Sequence, residues 1–235
     1  MRFATWNCCS DGSRKIDALE AIGVDVAVVC EAPMRNPRSA PRLLGRDLGW
    51  LSTGNYASKG LAVAGIGTPI EPLGRRDGQG QWTIAAQIPK GPALLGLWSR
   101  PPKPGMIAYG AQVIASLNAY ADLLTTGNMI VAGDFNIGQP AGGVAGNDGS
   151  AAARTLWESF GLISLYHAFF NEPFGAATRS TYFHQRKASA GWHIDYVLIH
   201  QSRLGCVRDV QVGSHQDWVA TGLSDHVPLI VDLDW

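Results

Sequence analysis

Seven residues of types that bind cations and move protons stand at the edges of apolar runs in this chain. Asn7 closes "FATWN", Glu31 closes "VVCE", and Asp134 and Asn136 close "MIVAGDFN". Asp195 lies inside "HIDYVLI", and Asp225 and His226 open "SDHVPLIV". A carboxylate at the end of a buried strand is costly unless it is paired. If the ends of several strands converge, one cation can offset a group of them. A set rich in carboxylate and amide oxygens, with no thiolate in it, suits a hard ion, Mg²⁺ or Mn²⁺. Residues two apart on a strand point the same way, so Asp134 and Asn136 are placed to address one ligand together. Each residue alone has a plainer explanation. Asp134-Phe135-Asn136 also reads as a turn, Glu31 as a strand exit at the surface, Asn7 as a cap and His226 as a hydrogen-bonded structural histidine. Asp195, flanked by Ile194 and Tyr196-Val197-Leu198, is the hardest to read as idle. The joint occurrence of the seven carries the case.

The elements that must position them follow from apolar patterning. Strands are expected at 2–7, 24–31, 59–66, 82–88, 93–98, 128–136, 192–200, 206–213 and 227–233. Ile16, Leu19 and Ile22 share a helical face that stops at Gly23, and Val113, Leu117, Tyr120 and Leu124 mark a second helix within 106–124. The Gly/Ala-rich stretch 138–153 reads as a mobile loop leading into a helix. No linker, repeat or charge run divides the chain, so residues 1–235 are expected to form one domain. Many strands and few helices imply two packed sheets with helices outside.

The 235 residues are 46% hydrophobic and only 16% charged, with 19 basic and 19 acidic side chains. Zero net charge argues against non-specific nucleic-acid binding through bulk charge and leaves only local basic patches for that role. No run approaches the ~20 apolar residues of a membrane helix, and no signal peptide is recognisable in "MRFATWNCCSDG". Cys8, Cys9, Cys30 and Cys206 show no metal-binding spacing and read as free thiols of a cytoplasmic protein.

The blocks "FATWN", "DVAVVCEA", "VAGDFNIG", "HIDYVLI" and "LSDHVPL", spread in order over 3–229, resemble the endonuclease/exonuclease/phosphatase superfamily, most closely its exonuclease III branch of abasic-site endonucleases. The resemblance implies an α/β fold, a four-layer sandwich of two mixed β-sheets face to face with helices outside (deoxyribonuclease I-like). It implies a Mg²⁺- or Mn²⁺-dependent phosphodiesterase acting on nucleic acid, DNA before RNA, as a monomer and away from membranes. The alternative is a phosphatase or phosphodiesterase for a small or lipid-linked phosphoester. Carried over by position, Glu31 is the principal metal ligand, with Asn7 and Asp225 completing the site. Asp134 holds or activates the attacking water, and Asn136 donates to a phosphate oxygen. His226 contacts the scissile phosphate, Asp195 orients its ring, and Tyr109 in "IAYGAQ" is the tyrosine near the phosphate.

The chain departs from that pattern in two places. Cys9 stands where a second asparagine is usual, and His193 where an arginine usually precedes the "IDY" block. Trp98, in "LWSRPPKPG", and Arg35, the first of the arginines 35, 38, 42 and 46, are the expected substrate contacts. Tyr182, Trp192 and Trp218 could stack on bases or a sugar, though the core is their first expected place.

Overall fold

The computed structural model describes residues 1–10, 14–32, 50–53, 59–100, 108–138 and 149–235. In chain order its strands are β1 (Arg2–Asn7), β2 (Val26–Ala32), β3 (Trp50–Thr53), β4 (Gly60–Gly65), β5 (Glu71–Leu73), β6 (Thr83–Gln87), β7 (Ala93–Trp98), β8 (Met129–Asp134), β9 (Leu162–Ser164), β10 (Tyr182–Phe183), β11 (Gly191–Trp192), β12 (Asp195–His200), β13 (Val207–Val212) and β14 (Leu229–Leu233). They form two six-stranded sheets, ordered β13-β14-β1-β2-β4-β3 and β5-β6-β7-β8-β12-β9, and a short β10-β11 ribbon. Both large sheets are mixed: β1 runs parallel to β2, and β7 parallel to β8, among antiparallel neighbours.

The strands alternate faithfully, and that alternation builds the layers. Phe3, Val28, Leu94, Ile130, Val197 and Val231 sit in the core between the sheets. Their neighbours Ala4, Val29 and Ile230 face out from the first sheet, where Leu19, Trp218 and Val219 pack on them. Leu95, Val131 and Leu198 face out from the second, against Val113 and Leu117 of the Tyr109–Ala119 helix and Trp157 of the Ser150–Ser159 helix. Fully burying side chains of this size is worth roughly 1.5–3 kcal/mol each, so the three apolar layers supply the rigidity on which the polar strand ends depend. The expected architecture of two face-to-face mixed sheets with helices outside is the one observed.

Several expected elements differ in extent. The run 192–200 is not one strand: β11 ends at Trp192 and β12 begins at Asp195, so the two ends belong to different sheets. The helix expected within 106–124 is broken at Tyr120 into Tyr109–Ala119 and Ala121–Leu124. Of the stretch 138–153, residues 139–148 lie outside the described residues and the helix begins at Ser150. β5, β9 and β10 were not expected, being two or three residues long and too short to show a period. All four cysteines are unpaired.

Candidate active site

Parity along the strands decides which polar residues meet. On β1, Phe3 faces the inter-sheet core, so Asn7, four residues on, faces it too. On β8 the inner series Ile130, Ala132 continues to Asp134, and on β12 the inner series Ile199, Val197 runs back to Asp195. At one end of the sandwich these series run out of apolar residues and are capped by polar ones. Asp195 lies directly opposite Asp134 in the β12–β8 register. Across the gap between sheets, the Asn7 Nδ2 group donates to Asp134 Oδ2 at 2.9 Å. The segment before β14 brings His226 over the pair, its Nδ1 at 2.9 Å from Asp195 Oδ2. Asp134, Asp195, Asn7 and His226 are all at most 4% exposed.

The backbone makes room for this closeness. Gly133, immediately before Asp134, has φ +148°, and a Cβ there would lie 1.7 Å from the Leu97 carbonyl oxygen; only glycine lets β8 approach β7 at that point. His226 is held at two further points, one of them relayed through Ser224 to β1. Its N–H donates to Ser224 Oγ at 3.0 Å, Ser224 Oγ–H donates to the Asn7 carbonyl at 2.7 Å, and Trp6 Nε1–H donates to the His226 carbonyl at 3.0 Å.

Glu31 reaches the same end by a different device. Val29 and Ala32 both face out from the first sheet and Cys30 faces in, so Glu31 is one residue too many for simple alternation. The β2–β4 register shifts there, and Glu31 takes the left-handed φ of 54°. This is a β-bulge, which redirects one side chain out of the pleat. The carboxylate is half-buried, and Lys59 Nζ, one residue before β4, lies 2.7 Å from its Oε2. Asp225 is half-buried beside Cys9, whose thiol is pushed up by burial and by hydrogen bonding to that carboxylate.

The charges of the buried group are strongly shifted. Burial and then the facing charge of Asp195 push the Asp134 carboxyl up to about 7, against the opposing pull of His226 and the Asn7 amide. Burial acts to lower His226, but the Asp195 carboxylate, with help from Asp134 and Asp225, overrides it and raises the imidazolium to about 9. At neutral pH His226 is therefore a cation beside an acid, and Asp134 is poised between its two forms.

The structure brings six of the expected site residues, Asn7, Asp134, Asn136, Asp195, Asp225 and His226, to one end of the sandwich, where Glu31 and Tyr109 join them. Tyr109 opens its helix close enough for the Asp134 charge, after burial, to raise its phenol. Asn136 leaves the strand geometry that the alternation of β8 would continue. It has φ 51°, its N–H donates to Asp134 Oδ1 at 3.0 Å and its amide donates to the Ser99 carbonyl at 2.8 Å. Trp98 is a correction. Parity on β7 turns it inward, 3% exposed, with its ring 5.2 Å from Trp82 and under the Arg100 guanidinium at 4.9 Å. It is core and not a substrate contact. Arg35, with 38, 42 and 46, lies outside the described residues. Trp218 is core, edge-on to Trp6 at 4.9 Å. Tyr182 is not core: half-buried, it stands 4.7 Å from the His226 ring and 5.4 Å from Trp192, which His184 stacks on in turn. His193 is turned away from the cleft and buried. Sequence reasoning passed over Lys59; the only signal was a lone lysine at the start of an apolar run.

Two sets of groups could hold an ion. Ligand-type atoms of Asp134, Asp195 and His226 lie within 4.8 Å of one another, and Asp195 Oδ1 is buried without a hydrogen-bond partner. A histidine held protonated offers no lone pair to a metal, so that set is better suited to handling protons. The oxygens of Glu31 and Asp225 suit a hard divalent ion, and the Lys59 ammonium already shows that the Glu31 carboxylate attracts positive charge.

The model of the Endonuclease/Exonuclease/phosphatase family matches residues 4–226. No protein of curated function matches in sequence. Among solved structures, an AP endonuclease from Archaeoglobus fulgidus superposes with a TM-score of 0.78 at 18% identity, covering 100% of both chains. A 3′ phosphatase from Neisseria bound to a product DNA hairpin gives 0.74 at 20%, again over 100% of both. An AP endonuclease from Leishmania major gives 0.71 at 14%, over 98% of this chain and 86% of that one. At such identities the likeness is one of fold.

Proposed function

Because the chain belongs to the endonuclease/exonuclease/phosphatase family, a family of nucleases and phosphatases, we propose that it is a divalent-metal-dependent nuclease hydrolysing phosphodiester bonds in DNA. The carrying observation is the pair of hydrogen-bonded couples, Asn7–Asp134 and Asp195–His226, that meet between the two sheets beside Glu31. Hydrolysis at phosphorus needs an oriented water, a proton acceptor and fixed positive charge at the non-bridging oxygens. Asp134, raised toward neutral pH, is matched to accept the proton of that water, its two oxygens oriented by the Asn7 amide and the Asn136 N–H. His226, kept charged by Asp195, presents Nε2–H to a phosphate oxygen. Tyr109 stands near enough to Asp134 to add a second donor. Glu31 and Asp225, with Asn7 behind them, would hold a Mg²⁺ or Mn²⁺ ion, whose chemistry when bound would be Lewis-acid stabilisation of the phosphoryl charge and the leaving oxygen. Tyr182 and Trp192 form an aromatic wall beside His226 on which a sugar or base can rest. DNA is favoured as substrate because the structures sharing this fold include AP endonucleases and a 3′ phosphatase bound to a DNA hairpin.

A second reading, a phosphatase or phosphodiesterase for a small or lipid-linked phosphoester, is favoured by zero net charge. One experiment separates the two: hydrolysis of end-labelled duplex DNA, with and without a single abasic-site analogue, in Mg²⁺, in Mn²⁺ and in chelator. Metal-dependent cutting at the analogue supports an abasic-site endonuclease, and cutting throughout a general nuclease. A folded protein that cuts neither duplex in either metal would overturn the nuclease reading in favour of the small phosphoester.

A further inference from the structure

Behind the wall that carries Asp195, two histidines take no part in the chemistry above. His193 lies in the link between β11 and β12, 6% exposed, and His167 on the Leu165–Phe170 helix. Each has one ring nitrogen committed. His193 Nδ1 lies 3.0 Å from the Arg179 carbonyl oxygen, and a carbonyl can only accept, so Nδ1 carries the hydrogen and Nε2 carries a lone pair. His167 Nδ1 lies 2.9 Å from Ser164 Oγ. Both Nε2 atoms are buried and have no hydrogen-bond partner. Buried polar atoms without partners are rare and costly, and at His193 that atom is an acceptor. Both rings line one cavity of about 60 Å³, shared with Trp192, Tyr196 and three glycines, Gly138, Gly175 and Gly191.

We propose that His167 and His193 form a binding site for a borderline divalent transition metal, Zn²⁺ or a neighbour in the late first row, separate from the oxygen-rich cluster. An imidazole whose Nδ1–H is tied to a carbonyl, with Nε2 left free, is the form in which histidine ligates metals. Two imidazoles bound through Nε2 to one tetrahedral ion at ~2.1 Å put their ring centres roughly 5.3 Å apart; here they are 5.5 Å apart, with planes at 81°. Both rings are also held neutral, burial driving His167 down to about 4 and His193 to about 3, so no proton competes for the lone pairs near pH 7. The support is rigid. The Arg179 guanidinium pairs with Glu172 at 3.0 Å, and Tyr196 Oη–H reaches the His193 carbonyl at 3.1 Å. Nitrogen ligands select against Mg²⁺, which takes oxygen. The two remaining ligand positions fall to water in the cavity. A bound ion ties the Leu165–Phe170 helix to the segment that carries Asp195 two residues on.

The test is calorimetric titration of Zn²⁺ into the full chain in excess Mg²⁺, paralleled by thermal unfolding. His167→Phe keeps an aromatic ring against Phe174 and Tyr196 and removes the ligand; His226→Ala leaves this cavity untouched. The expected result is a Zn²⁺-binding event, with a rise in unfolding temperature, that persists in His226→Ala and is weakened at least tenfold in His167→Phe. If His167→Phe does not fold, His167→Gln takes its place under the same criterion. No Zn²⁺ uptake by the wild type, or uptake unchanged in the folded His167 variant, overturns the proposal.

Discussion

The two halves of the candidate site are built by opposite means. The half suited to proton transfer, Asn7, Asp134, Asp195 and His226, is buried and cross-linked by hydrogen bonds between the sheets, and its three strand residues follow parity. The half suited to a cation, Glu31 and Asp225, is half-buried, stands at a bulge and before a strand, and is balanced at Glu31 by a partly exposed lysine. Proton chemistry depends on pKa values, which need burial and fixed partners. A metal arrives from solvent and brings its own charge, so its ligands need access more than rigidity.

The largest effect tests whether both halves are needed. His226→Ala and Glu31→Ala are each expected to lower turnover on DNA by at least ~10³-fold, with far-ultraviolet circular dichroism unchanged. Only Glu31→Ala is expected also to abolish Mn²⁺ binding in titration calorimetry. Unchanged turnover in either variant removes that half from the assignment.

Next comes the buried half alone. Asp134 is raised from 3.8 to about 7, so its ionisation costs folding free energy that is absent below pH ~4, grows as the pH rises and is complete above about 7. Asp134→Asn should therefore be more stable than wild type above pH 7, by on the order of 2 kcal/mol, yet inactive. The gain should fade as the pH falls toward 4. Urea unfolding in chelator at pH 4 and pH 8 measures it; equal stability at both values contradicts the burial argument.

The smallest effect sharpens the other half. Lys59 competes with a metal for Glu31, so Lys59→Met is expected to tighten Mn²⁺ binding by about threefold to tenfold, and Lys59→Arg to leave it near the wild-type value. A weakened Mn²⁺ affinity in Lys59→Met would show that the lysine supports the ion and does not oppose it.

The same contrast explains what could be read from sequence. Asp134 and Asp195 were legible because each interrupts a long apolar series whose parity fixes the direction of the side chain. Parity equally decided Trp98, placing it in the core, yet its position beside a Pro-rich segment drew the opposite reading. Glu31 was legible as a type and not as a direction, since a bulge leaves no periodic trace. Lys59 stands beside an element too plain to give a signal, its contact being with Glu31 far back in the chain, and Tyr182 was legible as an aromatic candidate but not in its place beside His226, which no local pattern shows. The fold was more legible than the site because alternation over many strands averages out local exceptions, whereas a site is made of them.

β1 and β14 lie side by side, with Met1 donating to the Leu233 carbonyl at 2.8 Å, and Trp6 of the first strand holds the carbonyl of His226. Residues 1–200 therefore hold all six strands of the second sheet and four of the first, but neither His226 nor the central strand β14 that follows it. Until β14 inserts between β13 and β1, Asp134 and Asp195 face each other with no imidazolium between them. Long-range closure of this kind is slow. The candidate site is therefore complete only once the strand that follows His226 is in place.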